Sequence, residues 1–370
     1  MHTVLVLGGY GNFGQTICRA LVGDGAVRLI VAGRDANRAS AFCDQLNTTP
    51  GVINVTSAAL DCYAPSFAQS LVDLDVDTVV HTAGPFQQQN YTVALACIAA
   101  GCNYIDLADA RAFVSGIGAL DKAARANHVL VVSGASSVPA LSGAVVDNFI
   151  SEFSELHSIR HGISSGAKTP GLATMQAVFG YCGKTFKRLK NGHEETTYGW
   201  QDTQLYRYPA PVGLRLMGSC DIPDLSLFPQ RYPSLRTVTF HAGIGNPLAH
   251  LAVWALTWPV RWAWLSSLVP LVAPLKRLSE WLEFLGSDKS AMHVELEGLD
   301  QQGNALLRCW YLVATKHHGP SIPCGAAIAL VRKIALGKLV ATGATPCLGL
   351  LSLDEYLSAL SGLSLKQVMR

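Results

Sequence analysis

The chain carries little charge. Of its 370 residues only 15% are charged, and the formal net charge is +2. This balance gives no basic field that would attract nucleic acid, so we expect no nucleic-acid partner. Hydrophobic residues make up 49% of the chain, which argues against disorder. The length exceeds the roughly 250–300 residues at which single cores usually divide, so two domains are expected.

The ten cysteines include no C-x-x-C pair. The closest two, Cys97 and Cys102, match no zinc spacing, so we expect no metal site. Most of the others lie in apolar stretches, which is typical of buried free thiols in a reducing compartment. A cytoplasmic location follows as an expectation. The chain begins directly with a predicted core strand, so a cleavable signal peptide is not expected.

The sequence opens on a predicted apolar strand, Thr3–Leu7, that runs into a glycine-rich turn with the spacing G-x-G-x-x-G. A predicted helix, Gln15–Val22, and a second strand, Arg28–Ala32, follow. This order is typical of a dinucleotide-binding βαβ unit, in which a pyrophosphate lies at the helix N-terminus. The predicted cofactor-binding residues of this turn are Gly8, Gly9, Tyr10, Gly11, Asn12, Phe13 and Gly14.

The residues after the second strand bear on the choice of cofactor. An enzyme selective for NAD usually places an acidic residue there, against the ribose hydroxyls. Here Arg34 comes first, and a guanidinium binds phosphate in a fork, which favours the 2′-phosphate of NADP. Asp35 follows and keeps NAD open, while Arg38 adds positive charge one helical turn on. In the alternative interpretation, Arg34 and Asp35 are ordinary polar residues that cap the next helix.

The pattern of strands and helices predicts an α/β protein. Residues 1–134 alternate strand and helix as a Rossmann-type, doubly wound parallel sheet does. Residues 135–322 are predicted to form a second α+β domain with a mixed or antiparallel sheet, for substrate and dimer contacts. Residues 323–370 are predicted to be helices that pack back on the first domain.

An apolar helical insert spans about residues 247–285, and its first part, residues 247–275, holds four of the seven tryptophans. Pro259, Pro270 and Pro274 are expected to divide it into pieces too short for the ~20 residues of a membrane span. Three interpretations stay open for it. It is a buried helical pair at a subunit interface or over the active site, a helix pair lying in a membrane interface, or a transmembrane hairpin.

Four sequence blocks, in this order and spacing, resemble the saccharopine dehydrogenase-like (saccharopine reductase-type) oxidoreductase family. The blocks are Gly8–Gly14, Ala32–Asp35, Ala83–Phe86 and Ala100–Asp106. The resemblance covers residues 1–135 and implies a variant Rossmann domain that binds NADP(H) or NAD(H). The second half matches less well, because the substrate elements of a saccharopine-forming enzyme are not found in convincing form.

The resemblance also implies further site residues. It places the Ala-Gly-Pro-Phe block, Ala83, Gly84, Pro85 and Phe86, beside the nicotinamide end of the cofactor. Tyr104 and Asp106 would line the cleft, and alternation along a strand puts both on one face. We interpret Tyr104, Asp106 and Lys168 as candidate catalytic residues, Lys168 for a substrate carboxylate or phosphate. Asp61, which ends the third predicted strand, joins the cofactor site. Each of these residues also has a purely structural interpretation. Asp106 would cap the next segment, Lys168 would be a solvated surface lysine, and His81 would be a core histidine.

Two functions follow from these patterns. The first is an NADP-dependent oxidoreductase, with NAD as the alternative cofactor, that acts on a C=N, C=O or activated C=C group of a small-molecule substrate. The apolar insert is compatible with an apolar substrate. The alternative is a non-catalytic NADP-binding scaffold or regulatory protein associated with a membrane. We expect a homodimer, and residues 247–278 are the candidate for peripheral contact at the inner face of a membrane.

Overall fold

The structure, a computed structural model, describes residues 1–48, 55–87, 89–166, 171–281 and 286–370. The chain divides into two units. The first comprises Met1–Leu141 and Ser321–Ser361, and the second comprises Ser142–Pro320 and Gly362–Arg370. The predicted bounds of 1–134, 135–322 and 323–370 differ from these, chiefly because the final residues belong to the second unit.

Sixteen strands form within the described ranges, and most are short. They are β1 His2–Leu7, β2 Val27–Gly33, β3 Val55–Ala59, β4 Thr78–His81, β5 Asn103–Asp106, β6 Leu130–Ser133, β7 Phe153–Ser165, β8 Thr185–Lys190, β9 His193–Tyr198, β10 Gln204–Arg207, β11 Leu214–Ser219, β12 Thr237–Ile244, β13 Ser290–Asp300, β14 Ala305–Ala314, β15 Gly343–Pro346 and β16 Leu365–Met369.

Thirteen α-helices form within the same ranges. They are α1 Asn12–Leu21, α2 Ala36–Asn47, α3 Phe67–Asp73, α4 Thr92–Ala100, α5 Arg111–Ser115, α6 Asp121–Ala126, α7 Ser142–Phe149, α8 Leu172–Tyr181, α9 Asp224–Arg231, α10 Pro247–Arg261, α11 Val272–Trp281, α12 Gly325–Ala335 and α13 Leu353–Ser358.

The first unit is built on a seven-stranded parallel sheet in the order β15-β6-β5-β4-β1-β2-β3. Its central strands, β5, β4 and β1, are almost wholly buried, because a parallel sheet is covered on both faces. Val4, Leu5 and Val6 of β1 are fully buried. The strand order reverses between β1 and β4, and the carboxyl ends at that point are where ligands bind in such sheets. The predicted doubly wound domain is confirmed.

The second unit carries a mixed sheet in the order β10-β11-β12-β7-β13-β14-β16. Strands β7 and β12 pair in parallel, and the other pairs are antiparallel. A separate hairpin, β8–β9, lies apart from this sheet. The predicted second domain with a mixed sheet is therefore confirmed.

Several predicted elements differ in detail. The helical segment between β5 and β6 is divided into α5, a short 3₁₀ turn and α6, because Gly116 and Gly118 weaken a helix there. The all-helical C-terminal segment also contains β15 and β16. In the insert, α10 continues through Pro259 to Arg261, because a proline in the last turn removes only one late hydrogen bond. Part of the predicted third strand, Val52–Leu60, lies outside the described residues.

Candidate dinucleotide site

The glycine-rich turn brings the start of α1 against the end of β1. Gly8 adopts a φ of +80°, which a side chain would resist. A Cβ on Gly14 would lie 2.2 Å from the Gly8 carbonyl oxygen, so only glycine lets the helix approach this closely. No acidic residue stands in the first turn of α1, a fully described segment. The N–H groups at this helix end therefore suit an anion, and the turn fits a dinucleotide pyrophosphate.

Tyr10 connects the turn to the next strand and helix. Its ring covers Gly33, where a Cβ would lie 2.5 Å from the ring edge. Its hydroxyl accepts a hydrogen bond from the Asp35 N–H at 3.0 Å. The Arg38 guanidinium lies 4.6 Å from the centre of the same ring. The end of β2 and the start of α2 are thus held in place by one aromatic side chain.

Arg34 and Asp35 have different surroundings at this edge. Asp35 Oδ1 accepts the Arg38 N–H at 3.1 Å and caps α2. Arg34 is exposed. Gly33 pairs with Ala59, and its carbonyl accepts the Leu60 N–H at 2.9 Å, so Arg34, the next residue, follows beside the end of β3. Asp61 is at the same place and accepts the Tyr63 N–H at 3.1 Å.

The Ala83–Phe86 segment follows β4 and is fixed by a neighbouring amide. Gln89 Nε2 donates to the Ala83 carbonyl at 2.9 Å and to the Pro85 carbonyl at 3.0 Å. The Gly84–Pro85 peptide bond is cis. Phe86 is buried, with its ring centre 5.0 Å from that of His81. The segment therefore begins at the end of β4, the strand next to β1 and its glycine turn in the sheet.

A buried polar cluster lies beneath this segment. The Tyr104 hydroxyl is 2.9 Å from His81 Nδ1. Asp106 Oδ1 accepts hydrogen bonds from the Ala108 N–H, the Ser133 hydroxyl and the Gly134 N–H at 2.8–3.0 Å. Tyr104 and Asp106 are both 0% exposed. The structure therefore brings two of the predicted catalytic residues together, inside the sheet rather than on an open surface.

Burial sets the protonation of this cluster. It raises the pKa of Asp106 to about 6, although hydrogen bonds from Gly134, Ala108, Ser133 and Tyr104 act against it. It lowers the pKa of His81 to about 4 and raises that of Tyr104 well above its usual range. At neutral pH the imidazole and the phenol are therefore uncharged.

His81 is buried, in keeping with its interpretation as a core histidine, but its contact with Tyr104 was not predicted. That contact depends on the register of β4 and β5, in which His81 pairs with Asp106, and local sequence carries no signal for it. A second acid lies nearby, because Asp109 Oδ1 accepts a hydrogen bond from Gln87 Nε2 at 3.0 Å. Burial raises the pKa of Asp109, and this carboxyl is only partly enclosed.

The second unit holds other buried histidines. His161 Nε2 lies 3.3 Å from Asp224 Oδ1, both fully buried, and His241 Nε2 lies 3.6 Å from Asp202 Oδ2. The third predicted catalytic residue, Lys168, lies outside the described residues. Within the ranges that the structure describes, no group of three His, Cys, Asp or Glu residues is arranged to hold a metal ion.

Comparison with known proteins agrees with this geometry. Residues 4–132 match the family model of the saccharopine dehydrogenase NADP-binding domain. Saccharopine dehydrogenase (L-Glu forming) from Saccharomyces cerevisiae matches over 100% of both chains, with a TM-score of 0.73 and 14% identity. Amine dehydrogenase from Mycobacterium smegmatis matches over 96% of this chain and 95% of that one, with a TM-score of 0.52 and 11% identity. Among curated protein sequences, none matches this chain.

The sheet topology and the glycine-rich turn together are those of an NAD(P)-binding oxidoreductase fold with a nicotinamide dinucleotide site. Within that class, residues 4–132 belong to the saccharopine dehydrogenase NADP-binding domain family, as the N-terminal sequence blocks predicted, and the whole chain shares the fold of saccharopine dehydrogenase.

Proposed function

We propose that this chain is an NADP(H)-dependent oxidoreductase that transfers hydride to or from a C=N, C=O or activated C=C group. The observation that carries the proposal is the Gly8–Gly14 turn, whose close approach to α1 leaves an anion site at the end of β1. The nicotinamide supplies the hydride, while the protein supplies position, electrostatics and a path for the proton. The substrate is a small molecule, and the apolar insert makes an apolar one the first to screen.

The proposed preference for NADP rests on the different surroundings of the two residues that follow β2, Arg34 and Asp35. Asp35 already accepts a hydrogen bond from the Arg38 N–H and so is engaged at the helix start. Arg34 is exposed beside the end of β3, where a ribose 2′-phosphate could be bound in a fork. Because Asp35 Oδ1 is engaged as a cap, the proposed preference for NADP rests on the Arg34 guanidinium, whose partner would be the 2′-phosphate that NAD lacks.

Titration with NADPH and NADH, followed by nicotinamide fluorescence, tests both parts of the proposal. We expect tighter binding of NADPH. Arg34→Ala should weaken NADPH binding roughly ten- to hundred-fold, since a hydrogen bond to a charged group contributes about 1.5–3 kcal/mol, and should spare NADH. Arg125→Ala is the matched control, because Arg125 is an exposed arginine of α6, which packs at the opposite edge of the sheet. Equal losses for both dinucleotides in Arg34→Ala would contradict the preference for NADP.

The chain's own residues divide into two roles. Tyr104 and Asp106 stay candidate catalytic residues, but their burial favours a positioning role, in which they hold β4, β5 and β6 together below the Ala83–Phe86 segment. Asp109 is more accessible and has a raised pKa, so it is the better placed acid to move a proton. A role for Lys168 in holding a substrate anion stays a prediction.

A non-catalytic membrane-associated scaffold is the second candidate, and the exposed aromatic surface of the insert favours it. A panel of carbonyl, imine and enoyl compounds, assayed by NADPH oxidation, separates the two functions. Turnover of any member would exclude the scaffold. Tight NADPH binding without turnover across the panel would favour it.

A further inference from the structure

The helix α10 is apolar on two opposite sides. One side is buried and includes Val253, Thr257 and Val260, spaced three or four residues apart. It packs in the core of the second unit against Phe179 and Trp200, among others. This stripe accounts for the attachment of the helix to its own unit, and it leaves the rest of the surface of α10 to be explained.

The opposite side of α10 and the turn that follows it are exposed and also apolar. Leu248 is 70% exposed, Leu251 44%, Trp262 53% and Trp264 74%. Arg261 is the one charged residue of this 15-residue helix. A helix that is hydrophobic on all sides is ordinarily buried, and a contiguous exposed apolar patch marks an interaction surface. We call the exposed side chains of residues 248–265 the tryptophan surface.

The exposed rings of Trp262 and Trp264 continue a row that begins with the half-buried Trp254 and Trp258. Ring centres are 5.8 Å apart between Trp254 and Trp258, 5.3 Å between Trp258 and Trp262, and 5.0 Å between Trp262 and Trp264. The Arg261 guanidinium lies 4.9 Å from the Trp258 ring centre and donates to a side-chain oxygen of the buried Gln201. The row is therefore held by packing. Tryptophan rings are amphipathic and are favoured at the headgroup level of membranes.

The charged residues along this stretch of chain are mainly positive. Between residues 247 and 279 the chain contains no Asp or Glu, while Arg261, Lys276 and Arg277 are cations. The first acid, Glu280, pairs with Lys276, Arg261 donates to Gln201, and Arg277 is exposed. An anionic lipid surface complements both the tryptophan surface and this exposed cation, whereas the same segment of a second copy offers no acid before Glu280.

We propose that the tryptophan surface docks this protein on a membrane leaflet that carries anionic headgroups, with α10 lying in the plane of the interface. None of the helices in the described ranges is long and apolar enough to cross a membrane. The inference is independent of the proposed NADP chemistry, because all residues involved belong to the second unit.

Flotation of the full chain with lipid vesicles tests this proposal. We expect the protein to float with vesicles of phosphatidylcholine and phosphatidylglycerol, and to do so much less with phosphatidylcholine alone. Trp264→Ser should lower the partition coefficient about ten-fold through lost apolar burial. Arg277→Ser should lower it about five-fold, the effect of one basic residue near an anionic surface.

Two double variants make a matched comparison. Leu248→Ser with Leu251→Ser changes the tryptophan surface, whereas Leu205→Ser with Leu307→Ser changes two leucines of the same unit that are 63% and 55% exposed elsewhere. Only the first pair should reduce flotation, and neither should change NADPH affinity. The proposal is overturned if the wild type does not float, or if both pairs reduce flotation equally. It is also overturned if Trp264→Ser abolishes self-association of a protein that does not float, because the surface then binds a second copy.

Discussion

Among single residues, Asp35 has two competing uses for its carboxylate. It caps α2 through the Arg38 N–H in this structure, and it occupies the position from which an acid binds ribose in NAD enzymes. If capping is its role, Asp35→Ala should lower the free energy of unfolding by about 1 kcal/mol, while Asp35→Asn, an equally good cap, should not. Neither should weaken NADPH binding.

Thermal denaturation and dinucleotide titration of these two variants give the answer together. A ribose-binding Asp35 predicts the opposite result. NADH affinity would then fall in both variants, and the change in stability would not separate alanine from asparagine.

The pair of Asp106 and His81 predicts opposing effects of pH on stability. The pKa of Asp106 is raised to about 6, so the folded state takes up this proton before the unfolded state does, and stability rises as pH falls from 7 towards 4. The pKa of His81 is lowered from 6.5 to about 4, so stability is lost as pH falls through the same window. In the wild type the two contributions largely cancel.

A variant that lacks one of these two groups should show the pH dependence of stability that the other group contributes. Relative to the wild type, Asp106→Asn should become less stable on going from pH 7 to pH 4.5, and His81→Gln should become more stable, each by up to about 3 kcal/mol. Urea unfolding of the three proteins in parallel at both pH values measures this. Shifts of the same sign in the two variants would show that the cluster does not titrate as burial implies.

At the scale of elements, the β1–α1 turn depends on a glycine that no other residue can replace. Gly14→Ala would place a Cβ 2.2 Å from the Gly8 carbonyl oxygen, so helix and turn must separate. We expect a loss of about 1–3 kcal/mol in stability and a parallel loss of NADPH affinity, since the N–H groups of α1 then point away from the pyrophosphate.

Gly25→Ala is the control for this change. No heavy atom lies within 4 Å of the Cβ that it would add, so its effect should remain within about 0.5 kcal/mol. Calorimetry and NADPH titration of both variants suffice. Normal NADPH affinity in Gly14→Ala would mean that the turn is structural and does not hold the pyrophosphate.

Elements with a strong local pattern were predicted well. The apolar strand β1 and the glycine turn were identified from neighbouring residues alone. The hairpin β8–β9 was missed because its strands are polar and charged, and β15 because its Gly-Ala-Thr-Pro sequence has no apolar run. β15 is held instead by pairing with β6, which lies more than two hundred residues away in the chain.

The residues of the candidate site also fall into two groups, those that the local sequence predicts and those that it does not. Arg34 and the glycines follow from spacing along one stretch of chain. The contact between His81 and Tyr104 depends on the register of two strands, and the burial of Asp106 depends on β6 beside it. Local sequence does not determine register between separate strands, so the sequence placed Tyr104 and Asp106 on one face without indicating that both are enclosed.

At the scale of the whole molecule, the four N-terminal sequence blocks were sufficient to predict the fold class and the family of the dinucleotide-binding domain. Residues 323–370 were expected to pack back on the first domain; in the structure Ser321–Ser361 belongs to the first unit, whereas Gly362–Arg370 adds a strand to the second. Such exchanges join segments distant in sequence and leave no local signal. The homodimer and the cytoplasmic location stay predictions, and ultracentrifugation of the full chain tests the first of these.

The division into two units also predicts where NADPH acts. A ligand that binds only the folded state at a hundred times its Kd stabilises that state by about 2.7 kcal/mol. Every predicted dinucleotide contact lies in the first unit. Hydrogen exchange with saturating NADPH should therefore slow most in β1, α1 and the start of α2, by up to about a hundred-fold.

The strands of the second unit supply the internal comparison. Exchange in β10, β11 and β14 should change least, and Arg34→Ala should need a higher NADPH concentration for the same protection in α1. If protection were strongest in the second unit, the dinucleotide would bind elsewhere than at the glycine turn. Protection limited to β1 and α1, with none at α2, would mean that the pyrophosphate is held but the 2′-phosphate is not. In that case NAD would be the cofactor and Arg34 a solvated surface residue.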